Sequence, residues 1–179
     1  MKIVKYGDGA SSRPAELYVI KNSAVVRIGG PVKLAEGALE PADAAADYIY
    51  GICVGFVGKD NETPYDKLLP GQVGAGTTYV HGVSLEVNSD NETEAQLRAK
   101  VVPVMPNDIL RGVADADLAT TTGSDKYGYY INVNTANESQ FAEDSATSAT
   151  EQFLIVGHPG GDQPRAIDVK VVEGQIFGQ

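Results

Sequence analysis

Residues Leu97–Val133 read LRAKVVPVMPNDILRGVADADLATTTGSDKYGYYINV, and the fold class turns on them. Two apolar runs, Leu97–Met105 and Tyr127–Val133, flank a middle rich in Pro, Asp, Thr and Gly. Leu97, Ala99 and Val101 share one parity, with Arg98 and Lys100 on the other. Tyr127, Tyr129, Ile131 and Val133 share one parity, with Gly128, Asn132 and Asn134 opposite. Side chains of a strand point alternately to two faces, so each run can set one face in a core and one in water. The stretch reads as the centre of a β-sheet core, and Asp108 to Asp125 as a turn-rich connection within it, with a contact surface as its best functional role.

Outward from there, the same pattern recurs along the chain. Residues 1–15, MKIVKYGDGASSRPA, hold Gly7, Gly9 and Pro14, which exclude a helix and leave an extended arm or a first edge strand. Glu16–Ile20 and Ala24–Ile28, separated by Lys21-Asn22-Ser23, predict a hairpin. Gly29-Gly30-Pro31 ends it and Val32–Leu34 resumes. The Ala-rich piece GALEPADAAADY predicts at most a short helix, with Pro41 at its first position. Tyr48–Val57 is apolar on both parities, as in a strand covered on both faces. Its Gly51 and Gly55 predict a bend, a bulge or a close backbone contact. Thr77–Val87 and Leu97–Val104, joined across the polar tip Ser89–Glu94, predict a second hairpin. Ile109–Val113 reads as a short strand or an edge. Thr135–Glu151 holds one large apolar residue, Phe141, and reads as a surface loop or a short helix near Ser139–Asp144. Gln152–Val156 and Arg165–Val172 complete the series around the turn Gly157–Pro164. With no long helix and about ten strand candidates, the class is all-β: an antiparallel sandwich or barrel of about ten short strands. The division is an extended N-terminal arm, residues 1–15, and a single β domain, residues 16–179.

Composition bounds the function. The 179 residues carry a net charge of −10, spread along the chain. Nucleic-acid binding needs clustered Lys and Arg to neutralise phosphates, and no such cluster exists, so neither nucleic acid nor an anionic membrane surface is expected as a partner. The one cysteine, Cys53, excludes an internal disulfide and falls in an apolar run where a small buried side chain is expected. No 7–15-residue apolar segment follows the first lysines, so no signal peptide is expected, and no apolar run approaches the ~18 residues of a membrane span.

The chemistry-bearing residues are few. Nucleophilic catalysis needs a nucleophile beside an oriented base, and the histidines are only His81, in line with Val83 and Leu85, and His158, in a Gly-Pro turn. Asp115, Asp117, Thr120–Thr122 and Asp125 form the most oxygen-rich stretch, without the glycine and distal Glu of a helix-loop-helix calcium site. Gly71–Gly76, GQVGAG, lacks the Lys-Ser/Thr ending of a phosphate loop. The triplets at Asn61, Asn91 and Asn137 match a glycosylation acceptor and read as turn residues. Tyr48, Tyr50, Tyr127, Tyr129 and Tyr130 lie in strand-like runs that suit packing. No residue is assigned a catalytic, cofactor-binding or metal-ligating role, no cofactor is expected, and the chain is read as a non-enzyme.

The pieces AVVRIGGPVKLAEGAL, YIYGICVGFV, Leu97–Val133 and EQFLIVGHPGGDQPRAIDVKVVEGQIFG together resemble the small all-β virion proteins of tailed bacteriophages, in particular capsid decoration or cement proteins. The resemblance covers about two thirds of the chain, in spacing and style. It implies a structural virion protein, made in the host cytoplasm and placed on the capsid exterior. It implies the major capsid protein and neighbouring copies, as a homotrimer, for partners. Residues 1–15 are the expected contact with a shell subunit or a neighbouring copy. Two other classes stay open: a carbohydrate-binding β-sandwich module, of a phage tail or head fibre or of another setting, and an enzyme with two close carboxylates in a cleft or a buried His–Asp pair.

Overall fold

The computed structural model describes residues 1–21, 24–42, 47–58, 78–80, 84–86, 97–114, 128–134, 137–146, 151–157 and 165–176. Among them are fourteen strands and no helix. In chain order they are β1 (Lys2–Lys5), β2 (Glu16–Val19), β3 (Val25–Arg27), β4 (Pro31–Ala35), β5 (Ala38–Pro41), β6 (Gly51–Gly58) and β7 (Thr78–Val80). Then come β8 (Ser84–Glu86), β9 (Leu97–Pro103), β10 (Ile109–Val113), β11 (Tyr130–Asn134), β12 (Asn137–Ala146), β13 (Phe153–Gly157) and β14 (Ala166–Val171). They build an all-β antiparallel sandwich from a six-stranded sheet, β1-β10-β14-β13-β11-β12, and a five-stranded sheet, β2-β9-β6-β4-β5. A three-stranded sheet, β3-β8-β7, accompanies them.

Both larger sheets curl until their ends meet. Five strands of alternating direction leave the first and fifth parallel, so five such strands can close only through a parallel contact. That contact is present twice. Ile20, just after β2, bridges in parallel to Leu39 of β5, and the Lys21 N–H donates to the Leu39 carbonyl at 2.9 Å. Ala114, just after β10, bridges in parallel to Phe141 of β12. β1 then lies on β10 outside the second ring.

Each curled sheet encloses its own apolar cluster. One gathers Leu110, Ile131, Phe141, Phe153, Ile155 and Val169 from the six-stranded sheet, with Phe141 and Phe153 edge to face at 5.2 Å. The other gathers Val32, Leu39, Cys53, Phe56, Ala99 and Val101, with Val26 of β3. In β9 the alternation is as read: Ala99 and Val101 are buried while Arg98 and Lys100 are half-buried. The two clusters meet in β6, where Ile52 faces the first and Cys53 the second. β6 is thus covered on both faces over Ile52–Cys53, and the glycine readings hold. A Cβ on Gly51 would lie 2.6 Å from the Val102 carbonyl oxygen. The β6–β9 register shifts between Cys53 and Gly55, leaving Val54 exposed.

Several pairings differ from expectation. Glu16–Ile20 and Ala24–Ile28 do not pair with each other: β2 pairs with β9 and β3 with β8. A short connection fixes that the chain turns but not which strand it joins. Thr77–Val87 does not pair with Leu97–Val104 either. Both sides of β9 are filled, by β2 and β6, and β8 lies between β3 and β7. Ala38–Pro41 is strand, so no helix begins at Pro41, and residues 43–46 of the expected helical piece lie outside the described residues. Pro41 is tolerated because β5 ends the sheet order, where a missing donor is harmless. Asn137–Ala146 is strand where a loop or helix was expected, because Phe141 inserts into the core and carries its polar neighbours with it. Ile109–Val113 is the short strand of its two expected forms and not an edge, β10 lying between β1 and β14. The stretch Leu97–Val133 is accordingly split: β9 belongs to one sheet, β10 and β11 to the other.

Candidate interaction surface

The described surface that stands out is the first seventeen residues. They run from the edge of one sheet to the edge of the other, and most of their side chains are exposed. β1 pairs with β10 and sets Ile3 against the first core, while Lys2, Val4 and Lys5 face solvent. A turn follows, closed by the Gly9 N–H donating to the Tyr6 carbonyl at 3.1 Å. The chain then passes Ser11 and Ser12 in the open and enters β2, where Glu16 and Leu17 are exposed.

What holds this ribbon is one buried carboxylate. Asp108, whose side chain is 0% exposed, accepts at Oδ1 from the Gly7 N–H at 2.7 Å and Arg13 Nη2 at 2.9 Å, and at Oδ2 from the Met105 N–H at 2.8 Å and Arg13 Nη1. Arg13 is itself 8% exposed and donates onward to the Pro103 carbonyl at 3.1 Å and to Asp8 at 3.2 Å. Its guanidinium lies 4.8 Å over the Tyr6 ring. The bonds to Asp108 hold the Arg13 pKa above its ordinary value against the opposing effect of burial. Asp8 sits below the ordinary carboxylate range, chiefly because it accepts from the Ala10 N–H. Contact is also tight in the backbone: a Cβ on Gly7 would fall 2.2 Å from the Pro106 carbonyl oxygen. The link from β1 to β2 and the link from β9 to β10 are therefore fastened together at Asp108. The reading of Asp108 as part of a polar contact surface is corrected here: it is buried, and its role is to fix the ribbon. The Met105-Pro106-Asn107-Asp108 turn was a legible signal, but its partner Arg13, 95 positions away, was not.

A second cluster lies where the ribbon becomes β2. Tyr18 and Tyr50 meet edge to face at 5.4 Å, their hydroxyls are 2.5 Å apart, and both donate to Glu16 Oε2 at 2.5 Å. These bonds, that from Tyr18 first, hold the Glu16 pKa below its ordinary value, and burial raises both tyrosines. On the opposite sheet Arg111 and Asp168 form a bidentate pair at 2.7 and 2.9 Å. A depression of about 220 Å³ lies beside the Asp108 turn, lined by Pro106, Asn107, Lys170, Val171, Glu173 and Ile176.

The expected chemistry-bearing residues fall as follows. Cys53 is buried, and desolvation pushes its thiol up to about 12. Tyr50 packs against the second core, whereas Tyr48 and Tyr129 are exposed. His81, His158, Gly71–Gly76, Asp115–Asp125, Tyr127, Asn61 and Asn91 lie outside the described residues. Among the described residues no group of three or more His, Cys, Asp or Glu is placed to hold a metal ion. No protein-family model, curated protein or solved structure matches the chain.

Proposed function

We propose that this protein is a structural component of a phage virion that binds the outer surface of the capsid and stabilises the shell by bridging capsomers. The major capsid protein and neighbouring copies, in a homotrimer, are its partners. The observation that carries the reading is the ribbon of residues 1–17: extended, largely exposed, and tied down at Gly7 and Arg13 by the buried Asp108. A binding segment ordered before it binds loses less conformational entropy on docking. A protein held at several subunits at once gains further from effective concentration, so individually weak contacts suffice. The sequence resemblance points the same way.

The test is sedimentation of the purified protein with capsids that lack it. Binding at a fixed ratio of copies to capsomers, with capsids that then withstand higher temperature, supports the proposal. Failure to co-sediment removes it. A carbohydrate-binding module is the second reading, favoured by the exposed rings of Tyr48 and Tyr129, since exposed aromatic faces can stack on sugars. Glycan binding lost on Tyr48→Ala, without capsid binding, would establish it instead.

A further inference from the structure

Lys2 and Lys5 are three positions apart, which in a regular strand places them on opposite faces. The pairing with β10 shows otherwise. Lys2 lies opposite Arg111, Ile3 opposite Leu110, and Lys5 opposite Ile109, with the register shifting between Ile3 and Lys5. Arg111 and Ile109 are two apart and so share a face. The bulge at Val4 therefore turns Lys5 back to the face of Lys2, with Ile3 alone facing the core.

Acidic residues outnumber basic ones 24 to 14, and four described cations are paired with carboxylates: Arg13 with Asp108, Lys21 with Glu40, Lys33 with Asp47, Arg111 with Asp168. Among the described residues neither Lys2 nor Lys5 has such a partner, and both are exposed. They also sit on a strand edge: among the described residues β1 ends the sheet order and pairs only with β10. An open edge offers backbone donors and acceptors to another strand.

We infer that the free edge of β1 is a docking site for an extended acidic segment of a partner protein, whose carboxylates at alternate positions meet Lys2 and Lys5 on one face. This rests on the reading of residues 1–15 as a contact surface. Charge selects the occupant. Two copies paired antiparallel about the centre of β1, between Ile3 and Val4, would set Lys2 against Lys5 twice, and like charges directly opposite are destabilising. A strand with alternate carboxylates reverses both terms.

The probe is a capped eight-residue peptide of Thr, Val and Ile with Glu at two alternate positions, titrated into the full chain up to millimolar concentration. Binding is expected, weakening as salt is raised. The double variant Lys2→Glu, Lys5→Glu should bind it about tenfold or more weakly and should gain binding to the same peptide with Lys in place of Glu. Its melting temperature should stay close to that of the native chain, since both side chains are exposed. A peptide N-methylated at alternate amides keeps its charge but loses strand pairing, and should not bind. Unchanged affinity in the double variant, equal binding of the N-methylated peptide, or self-association of the native chain through this edge would each overturn the inference. Capsid sedimentation is read separately: a protein that joins capsids but ignores these peptides sinks the docking site alone. One that binds the peptide but never joins capsids sinks the virion proposal alone.

Discussion

Asp108 has no exposed side-chain surface, yet it keeps its place through four donors: two backbone amides and two nitrogens of Arg13. A buried pair of this kind contributes modestly relative to an apolar replacement, but removing one partner strands the other's charge. Asp108→Asn is expected to destabilise the fold by about 3 kcal/mol, measured by chemical denaturation. Arg13→Met combined with it should cost less than the sum of the two single changes, since neither charge is then left alone. Glu16 gives a pH dependence of definite sign. Its folded pKa lies below the ordinary 4.5 because Tyr18 and Tyr50 donate to it, so the folded state binds fewer protons. Its contribution is present above the unfolded value and is lost as pH falls through the folded one. The melting-temperature difference between native protein and Glu16→Gln should be constant near neutrality and shrink below about pH 4.5; a difference independent of pH down to 3 would show that the two hydroxyls do not favour the charged form. At this scale the sequence was informative where a residue acts through its neighbours in the chain. The burial of Cys53 and the tight fit of Gly51 were legible in the run YIYGICVGFV. The clasp was not, because Arg13 and Asp108 each look like ordinary polar loop residues until the fold brings them together.

The elements show the same division. Strands with alternating apolar residues, β9, β11 and β14, were readable because period-two burial leaves a direct mark. β12 was not. Asn137–Ala146 holds no large apolar residue except Phe141, and a ring closure needs only that one residue to face inward. Its register with β11 shifts twice, which further blurs any alternation. Phe141 is 0% exposed, meets Phe153 edge to face and stands over Gly112, where a Cβ would lie 2.4 Å from its ring. Phe141→Ala is therefore expected to cost about 3–5 kcal/mol, read by denaturation. Because β12 meets β10 through this residue, the amides of β12 and of Ala114 should lose hydrogen-exchange protection before those of β4 and β6. Equal loss in both sheets would mean that Phe141 acts as bulk filling rather than as the closure. Pairings were the least legible feature, since the turn chemistry that predicts a hairpin is local and the choice of neighbour is decided by which faces the two cores must cover.

Whole-molecule behaviour follows from how the two cores share structure. Two curled sheets with separate apolar clusters would unfold independently if only a linker joined them. Here β6 belongs to one sheet but sends Ile52 into the core of the other, while the next residue, Cys53, stays in its own. The Asp108 clasp ties the β1–β2 and β9–β10 links at the same junction, and Ile49 bridges in parallel to Ile176, its N–H donating to the Gln175 carbonyl at 2.6 Å. Loosening either core disturbs residues on which the other depends. One cooperative transition is therefore expected, with the calorimetric enthalpy equal to the van't Hoff enthalpy. Ile52→Ala, at about 2–5 kcal/mol, should lower that transition without dividing it, and hydrogen exchange should weaken in both sheets together. Two resolved transitions in the native protein would show that the clusters are separable units. Two transitions only in Ile52→Ala would instead identify this one side chain as the coupling between them.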